Sequence, residues 1–295
     1  MRVAICGFGS AGRQHAAAVA ELPDVTVHSV LEADPAVRTD PYPRAADWAS
    51  VLADPRVDAV ALCVPPGGRA ELAAAAVAAG KAVLLEKPPC MSVAELDQLE
   101  ALDGRIGVML QHRFRLPAEV LDRPFRAAAG TLLVSRHRVP ARHYTGWRAD
   151  PGRSLGGITA HLGVHYLDLA CQALGDVEAV DVVEHRSCAP GIDVRVGAVV
   201  RFAAGSTLAV TIAADVPARA EQLVIVGGDR YLSIADGAVV LRDGDAERTV
   251  PAAPTPALRG RVYTEFTSGG ELCSLARSRG ATRILDEVRK AGTGW

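Results

Sequence analysis

The 295-residue sequence lacks several features that would assign it to a specialised class of protein. It has six cysteines but no Cys-x-x-Cys pair, so neither a disulfide framework nor a zinc framework is indicated. We expect these cysteines to be buried as small hydrophobic residues in a reducing compartment. Apart from one alanine-rich segment, the sequence has no internal repeat and no low-complexity tract.

Neither an excess of charge nor a long apolar run is present. The formal net charge of -2 shows neither the basic excess of a nucleic-acid-binding protein nor a strongly acidic tail. Every apolar run is shorter than a membrane span, and the N-terminal run is too short for a secretory signal. We therefore predict a cytoplasmic protein whose partner is a small molecule, with no nucleic acid and no membrane.

What the sequence does contain is typical of a globular protein with two domains. Apolar residues make up 49% of the chain and charged residues 22%, which argues against disorder. Over residues 1–112, short apolar runs alternate with helix-like segments, a pattern typical of a parallel sheet with crossover helices. The predicted strands are "RVAIC", "VTVHSVL", "DAVALCV", "AVLLE" and "IGVML". We predict a Rossmann domain here, within an α/β fold.

The rhythm of the sequence changes after this domain. A loop rich in arginine, proline and aromatic residues is predicted up to Arg153, followed by the helix "GGITAHLGVHYLDLACQAL". Several strand-like runs then follow one another, separated by glycine turns. Residues 113–295 are therefore predicted to form an α/β domain for substrate binding and oligomerisation, with a large, mostly antiparallel open sheet and two short helical segments at its end.

The stretch "GFGSAG" matches the pattern Gly-x-Gly-x-x-Gly directly after a strand and at the opening of a helix. Gly7 permits the tight turn, Gly9 lets the backbone approach a pyrophosphate, and Gly12 lets the helix pack closely on the strand. The helix N-terminus offers free N–H groups to that pyrophosphate. We predict a dinucleotide site that includes the whole turn, namely Gly7, Phe8, Gly9, Ser10, Ala11 and Gly12.

An acidic residue ends the second predicted strand. Glu32 lies where a carboxylate would accept both hydroxyls of the adenosine ribose. Ala33 follows it, and not the arginine that would pair with a 2'-phosphate, so NAD is favoured over NADP as the cofactor. The alternative is a solvated loop glutamate.

The fourth strand ends in "LLEKPP". Ligands of an open parallel sheet bind beyond the carboxyl ends of its strands, so Lys87 is expected at the cofactor crevice. Pro88 restricts the residue before it to extended geometry, which fixes the direction of the lysine. We assign Pro65, Glu86 and Lys87 to the cofactor side of the site.

The helix after residue 153 carries two histidines and an aspartate. His161, His165 and Asp168 are spaced i, i+4 and i+7, which places them on one face of an α-helix where they can address one cavity. The spacing His-x-x-x-His is also a legitimate pair of metal ligands. It lacks the glutamate of His-Glu-x-x-His and any nearby third ligand, so we predict no metal.

The predicted loop before this helix is expected to cover a substrate. Gln111, Arg113 and Asp168 could also reach the substrate cleft. The loop offers hydrogen-bond donors and flat faces suited to hydroxylated rings or to an anionic group, from Arg142, His143, Tyr144, Trp147 and Arg148. The alternative is that these arginines belong to an ordinary surface loop.

Together, these motifs resemble one family. The segments "GFGSAGRQH", "LLEKPP", "QHRF", "GWRADP", "GGITAHLGVHYLD" and "YTEF" look like those of the Gfo/Idh/MocA oxidoreductases, over nearly the whole chain. The resemblance implies a Rossmann domain, a C-terminal α/β domain with an open sheet, and NAD(P)-linked chemistry on sugars, cyclitols or relatives. It also implies a homodimer or homotetramer built by packing the open sheet faces.

The family's catalytic positions can be carried over residue by residue. The lysine of its Glu-Lys-Pro motif falls on Lys87, and the histidine of its Asp-x-Gly-x-His-x-x-Asp segment falls on His165, because Gly163 and Asp168 keep the spacing. The first aspartate of that segment falls on His161, where this sequence departs from the pattern. The resemblance therefore implies that Lys87, His165 and His161 are the catalytic set.

The expected reaction moves hydride between a nicotinamide and a secondary alcohol or ketone of a sugar, cyclitol or nucleotide-linked sugar. His165 is expected to be the acid/base, and Lys87 to stabilise negative charge on the reacting oxygen. Two alternatives remain open, an imine reductase of the same family and a non-catalytic regulator that depends on a dinucleotide. His161 in place of a carboxylate favours a ketone reduction or a substrate that carries its own negative charge.

Overall fold

The computed structural model describes residues 1–292, which divide into two compact units. The first unit contains Met1–Cys90, Ala94–Gln111 and Pro254–Ser278. The second contains Met91–Val93, His112–Ala253 and the segment that begins at Arg279. The predicted division between residues 112 and 113 did not include the return of Pro254–Ser278 to the first unit.

The first unit is built on a parallel sheet, as predicted. Its strands are β1 Arg2–Cys6, β2 Thr26–Leu31, β3 Ala59–Leu62, β4 Ala82–Glu86 and β5 Ile106–Met109. They lie in the order β2-β1-β3-β4-β5 and pair in parallel. Its α-helices are α1 Ser10–Ala20, α2 Trp48–Ala53, α3 Arg69–Ala78, α4 Val93–Glu100 and, in the returning segment, α8 Thr255–Ser268.

The central strands of this sheet are short apolar runs because helices cover both faces. Every residue of Ala59–Leu62 is buried, which is typical of a parallel strand with both sides covered. The strand order reverses direction between β1 and β3, the point at which such sheets bind ligands. Gly7, Glu32, Pro65 and Lys87 all follow the carboxyl ends of their strands, so they share one edge of the parallel sheet.

The second unit is built on a sheet that is mostly antiparallel, again as predicted. Its strands are β6 Ala129–Ser135, β7 Val177–Ala189, β8 Ile192–Phe202, β9 Thr207–Ala213, β10 Ala220–Gly227, β11 Arg230–Ala235, β12 Ala238–Asp243 and β13 Ala246–Val250. They lie in the order β13-β12-β11-β10-β6-β9-β8-β7. Within residues 1–292, β6 and β9 form the one parallel pair of this sheet. Alternation of exposed and buried residues along β9 shows that one face is covered.

The helices of the second unit are α5 Ala118–Asp122, α6 Pro140–His143, α7 Val164–Leu174 and α9 Arg279–Gly292. A π-helical turn, Thr159–Gly163, leads directly into α7. All residues of α7 are buried, and α7 packs against α9, α5 and β6. Short 3-10 turns lie at Gln111–Arg115 and Gly146–Ala149, and two more, Glu271–Cys273 and Ala276–Ser278, belong to the first unit.

The predicted loop from residue 111 to Arg153 is wrong. It contains the 3-10 turns at Gln111–Arg115 and Gly146–Ala149, two short helices, and β6, which lies inside the mixed sheet between β10 and β9. β6 carries just two inward apolar residues, Leu132 and Val134, so its periodicity was too short to identify. The polar edge strand β13 was missed as well, because its residues are mostly exposed.

All six cysteines are free thiols, and the expectation that they are buried holds for four of them. Cys188 is exposed on β7 and Cys63 is half-buried, so for these two the prediction is wrong. As to membranes, no helix among residues 1–292 is both long enough and apolar enough to span one.

Candidate functional site

The glycine turn after β1 is a tight backbone crossing. Gly7 has a φ of +91°, a conformation that side chains rarely tolerate, and its N–H donates to the carbonyl of Leu31 at 2.8 Å. A Cβ on Gly12 would lie 2.1 Å from the carbonyl oxygen of Gly7. The conformational reasons predicted for these two glycines are therefore confirmed.

The opposite condition holds at Gly9, where a Cβ would have no atom within 4 Å. Gly9 and Ser10 are exposed and Ala11 is half-buried, so the turn presents its backbone to solvent. Within the described residues, no side chain caps the N-terminus of α1. Its first N–H groups and the positive end of the helix dipole suit an anionic pyrophosphate.

Glu32 holds the turn from the side of β2. Its carboxylate accepts hydrogen bonds from the N–H of Phe8 at 2.6 Å and of Asp34 at 3.0 Å. The side chain of Phe8 is buried against Tyr42, so this residue contributes packing and no free donor to the turn. Glu32 is half-buried and keeps acceptor capacity for hydroxyl groups, because each carboxylate oxygen has two lone pairs.

Two glycine variants separate the structural part of the turn from its part in binding. We expect Gly12→Ala to disrupt folding of the first unit, because its Cβ would overlap a backbone oxygen. Gly9→Ala should keep the native melting temperature but weaken NAD binding, since a methyl group would occupy the approach to the exposed backbone. Thermal unfolding and calorimetric titration with NAD test both. Normal NAD affinity in Gly9→Ala would contradict the assignment of this turn.

The end of β4 is organised around a buried carboxylate. Glu86 is 5% exposed, and its Oε1 lies 2.8 Å from Nη1 of Arg259 and 3.2 Å from Nε2 of His15. Burial alone would raise the pKa of Glu86, but Arg259 and His15 hold this pKa well below its usual range. The other ring nitrogen of His15 lies 2.7 Å from the hydroxyl of Tyr263. Glu86, predicted to bind cofactor, is thus the centre of an internal network.

A second buried cation fixes the backbone on both sides of the candidate lysine. Arg69 is 2% exposed, and its guanidinium donates to the carbonyls of Glu86, at 2.5 Å, and of Pro88. It also donates to the carbonyl of Val64, just after β3. Lys87 is therefore held in a loop that Arg69 ties to the neighbouring strand end, and its own N–H donates to the Glu86 carboxylate at 3.0 Å.

Sequence reasoning missed the supporting residues of this edge. Arg69 opens α3, where an arginine is expected to be solvated, and no local pattern marks it as buried. Arg259 and Tyr263 lie on α8, far along the chain. The signal available for Tyr263 was its place in the family-like segment "YTEF".

In the second unit, the N-terminus of the long predicted helix is pinned by one aspartate. Asp193, on β8, accepts hydrogen bonds from the N–H of Gly157 at 2.8 Å and from the N–H and hydroxyl of Thr159 at 2.9 and 2.7 Å. The π-helical turn that follows contains His161. The predicted uninterrupted α-helical face through His161 and His165 is therefore wrong, because the wider turn shifts His161 relative to α7.

The two histidines have different surroundings. His165 is 7% exposed, and its ring stacks on that of His112 with centroids 4.4 Å apart and an interplanar angle of 28°. His112 also meets the ring of Tyr166 edge-on. The sequence singled out His165 but not His112, whose only signal was its place in "QHRF".

Asp168 anchors α7 through a buried ion pair. Its carboxylate accepts hydrogen bonds from Nε and Nη2 of Arg113 at 2.7 and 2.9 Å, and both side chains are fully buried. Gln172, one turn later, donates to the same carboxylate at 3.3 Å. Direct substrate contact, predicted for Arg113 and Asp168, does not fit this enclosed geometry, which favours the anchoring role.

The buried pair makes a quantitative prediction for stability. Arg113→Gln would leave Asp168 buried without its counter-charge, so we expect the free energy of unfolding to fall by about 3–5 kcal/mol. The control is Arg201→Gln on β8, which breaks the exposed pair with Asp181 and should cost at most about 1 kcal/mol. Urea denaturation of both variants measures the difference. Similar losses in the two variants would contradict the anchoring role.

His161 lies in a cluster of rings from the preceding segment. Its ring centroid is 5.8 Å from those of His143 and Trp147 and 6.1 Å from that of Tyr144. The guanidinium of Arg148 lies over the Trp147 ring, 4.6 Å from its centroid. The structure thus brings these predicted substrate residues together around His161.

Gln111 is 3% exposed at the end of the first unit, and its Oε1 is buried without a donor among the described residues. Its predicted substrate contact stays a prediction. In residues 1–292, no group of three or more histidine, cysteine or acidic side chains is arranged to hold a metal ion.

A parallel sheet of this order, with a glycine turn after β1 and a carboxylate after β2, defines a dinucleotide-binding protein. Comparison with known families gives the particular one. Residues 1–114 match the oxidoreductase family with an NAD-binding Rossmann fold, and residues 130–232 match the GFO/IDH/MocA C-terminal domain. The chain belongs to the Gfo/Idh/MocA oxidoreductase family.

Two curated relatives show what the chain is similar to. It is 31% identical to a putative UDP-kanosamine synthase oxidoreductase subunit of Amycolatopsis mediterranei, over 62% of this chain and 54% of that protein. It is 27% identical to levoglucosan dehydrogenase of Pseudarthrobacter phenanthrenivorans, over 62% of this chain and 53% of the relative. The matches thus span about half the length of these relatives.

Among solved structures, the chain resembles a levoglucosan dehydrogenase in complex with NADH and levoglucosan. The TM-score is 0.82 at 19% identity, and the match covers 100% of this chain and 97% of the other. At this identity the likeness shows a common fold.

Proposed function

We propose that this protein is an NAD-dependent oxidoreductase that interconverts a secondary alcohol and a ketone in a sugar, cyclitol or nucleotide-linked sugar. The observation that carries the proposal is the position of Lys87. It lies at the carboxyl edge of the parallel sheet, which the glycine turn shares, on a backbone fixed by Arg69. Because its backbone is fixed, Lys87 differs from an ordinary solvated surface lysine, and its ammonium group is suited to stabilising negative charge in a reaction.

The residues of the first unit fit a bound NAD. The open backbone at Gly9 and the uncapped start of α1 suit the pyrophosphate, and Glu32 suits the ribose hydroxyls. Ala33, and not an arginine, follows Glu32 in the sequence, which favours NAD over NADP. When bound, the nicotinamide would supply the acceptor or donor of hydride. At this edge Phe8 packs against Tyr42, Glu86 forms the buried network, and Pro65 follows β3.

The chemistry assigned to the side chains follows from the reaction. Oxidising an alcohol requires a base for the hydroxyl proton, and a neutral imidazole is suited to that at pH 7, so we assign the proton to His165. The ammonium of Lys87 would stabilise the negative charge that develops on the same oxygen. In the reverse direction, His165 would return the proton to the ketone oxygen. His161 would contact the substrate through the ring cluster around it.

The names of the relatives support the substrate class without specifying it. One is a levoglucosan dehydrogenase, and another, of Thermotoga maritima, is a myo-inositol 2-dehydrogenase. These compounds are a sugar derivative and a cyclitol, both rich in secondary alcohols. A cytoplasmic location and a homodimer or homotetramer remain part of the proposal.

Two variants test the catalytic assignment. We expect Lys87→Ala and His165→Ala each to lower kcat by about 10²-fold or more while NAD affinity stays within a few-fold, because both act on the reacting oxygen. The measurement is nicotinamide absorbance with levoglucosan, myo-inositol and related polyols, beside NAD titration. Lys290→Ala, on exposed α9 surface, serves as the control. Full turnover in either catalytic variant would refute its role.

The cofactor assignment has its own test. The wild-type protein should bind NAD more tightly than NADP. Glu32→Ala should weaken NAD binding by about tenfold to a hundredfold, because the carboxylate would no longer accept hydrogen bonds from the two ribose hydroxyls. The affinity for NADP should change less, so the difference in affinity between NAD and NADP should become smaller. Glu21→Ala, at the exposed end of α1, is the control. A wild-type preference for NADP would overturn the assignment.

A further inference from the structure

The segment between β6 and the π-helical turn carries a local excess of positive charge. We call residues 136–149 the basic segment. It contains four arginines and two histidines and has no aspartate or glutamate, although the whole chain has a formal charge of -2. An excess of this kind within a nearly neutral chain needs a counter-charge from the protein or from a ligand.

The protein supplies a counter-charge to one of these arginines. Arg136 pairs with Glu221, a buried carboxylate on β10 that also accepts a hydrogen bond from the hydroxyl of Tyr166. Throughout residues 1–292, no carboxylate lies within ion-pair distance of the others, Arg138, Arg142 and Arg148. The positive charge of the basic segment is therefore largely uncompensated.

Two of the uncompensated arginines converge on the ring cluster. Burial lowers the pKa of His143, and the positive charges of Arg138 and Arg148 lower this pKa further. His143 in turn meets His161 edge-on, with centroids 5.8 Å apart. Arg148 is also fixed over Trp147.

The same cluster contains buried donors that have no acceptor. Tyr144 is 6% exposed, and its hydroxyl has no hydrogen-bond partner among the described residues. Nε of Arg138 and Nε of Arg148 are also buried without a hydrogen-bond partner among these residues. Burial raises the pKa of Tyr144, and the charge of Asp193 raises this pKa further. The carboxylate of Asp193 already accepts hydrogen bonds from Gly157 and Thr159. Buried donors are normally satisfied, so these groups point to a ligand rich in acceptors.

We propose that this cluster binds an anionic group of the substrate, a phosphoryl or carboxylate group attached to the polyol. The inference rests on the proposed oxidoreductase function and names its substrate class. Guanidinium groups match the planar or tetrahedral oxygens of these anions and form stronger hydrogen bonds with them than with neutral hydroxyls. The rings of Trp147 and His161 offer flat faces to the sugar or cyclitol ring beside the anion.

The experiment compares matched ligands that differ in charge. D-glucose and levoglucosan are the neutral probes, and D-glucose 6-phosphate, D-glucuronate and UDP-glucose are the anionic ones. Their binding to the protein with NADH present is measured by calorimetry, and their oxidation by nicotinamide absorbance with NAD. At least one anionic probe should bind about tenfold or more tightly than its neutral counterpart. Which anionic probe binds best distinguishes a phosphoryl group, a carboxylate and a nucleotide diphosphate.

Substitutions then test whether the cluster causes the preference for anionic over neutral probes. Arg148→Gln should abolish most of the preference for the anionic over the neutral probe, and Arg148→Lys should restore part of it. The control is Arg126→Gln, which removes one exposed arginine just before β6, at the strand end opposite Arg136. It should leave the preference intact.

The outcomes separate the two proposals. If neutral and anionic probes bind equally, or if Arg148→Gln keeps the full preference, the anionic-substrate inference is wrong even where polyols are oxidised. If the anionic probe binds preferentially through Arg148 but no probe reduces NAD, the inference on the ligand stands and the proposed reaction fails.

Discussion

The first unit depends on keeping one carboxylate charged in its interior. Glu86 ends β4, and its negative charge is stabilised by His15 of α1 and Arg259 of α8. These partners come from the helix after the glycine turn and from the segment that returns near the end of the chain. A buried ion pair contributes little net stability over apolar packing, but breaking it is costly. The interaction therefore specifies how three distant segments meet at the candidate lysine.

The second unit also contains a buried ion pair, which fixes a helix. The enclosed pair of Arg113 and Asp168 fixes α7, while Asp193 fixes the π-helical turn before it. The two histidines thus receive separate surroundings, since His165 stacks on His112 and His161 joins the ring cluster. A change around His161 therefore need not move His165, because the two rings have different neighbours.

This separation bears on how a family with one fold serves many substrates. In the proposed function, the glycine turn and the carboxylate after β2 would bind the cofactor, and the lysine after β4 would act on the alcohol group that all polyols have. The basic segment lies on short helices and turns outside both sheets. Segments of this kind tolerate sequence change better than strands do, since few backbone hydrogen bonds of a sheet depend on them.

The sequence by itself determined the parallel sheet, the glycine turn and the mostly antiparallel second sheet, because these follow from local periodicity and from steric needs at single residues such as Gly7 and Gly12. Its resemblance to the family's motifs also singled out Lys87 and His165. Tertiary structure alone decided that Arg113 would be buried against Asp168 and that Arg69 would support the lysine loop. The sequence does not reveal whether the side chain of an arginine or aspartate is solvated or buried. Its burial depends on partners that are distant along the chain.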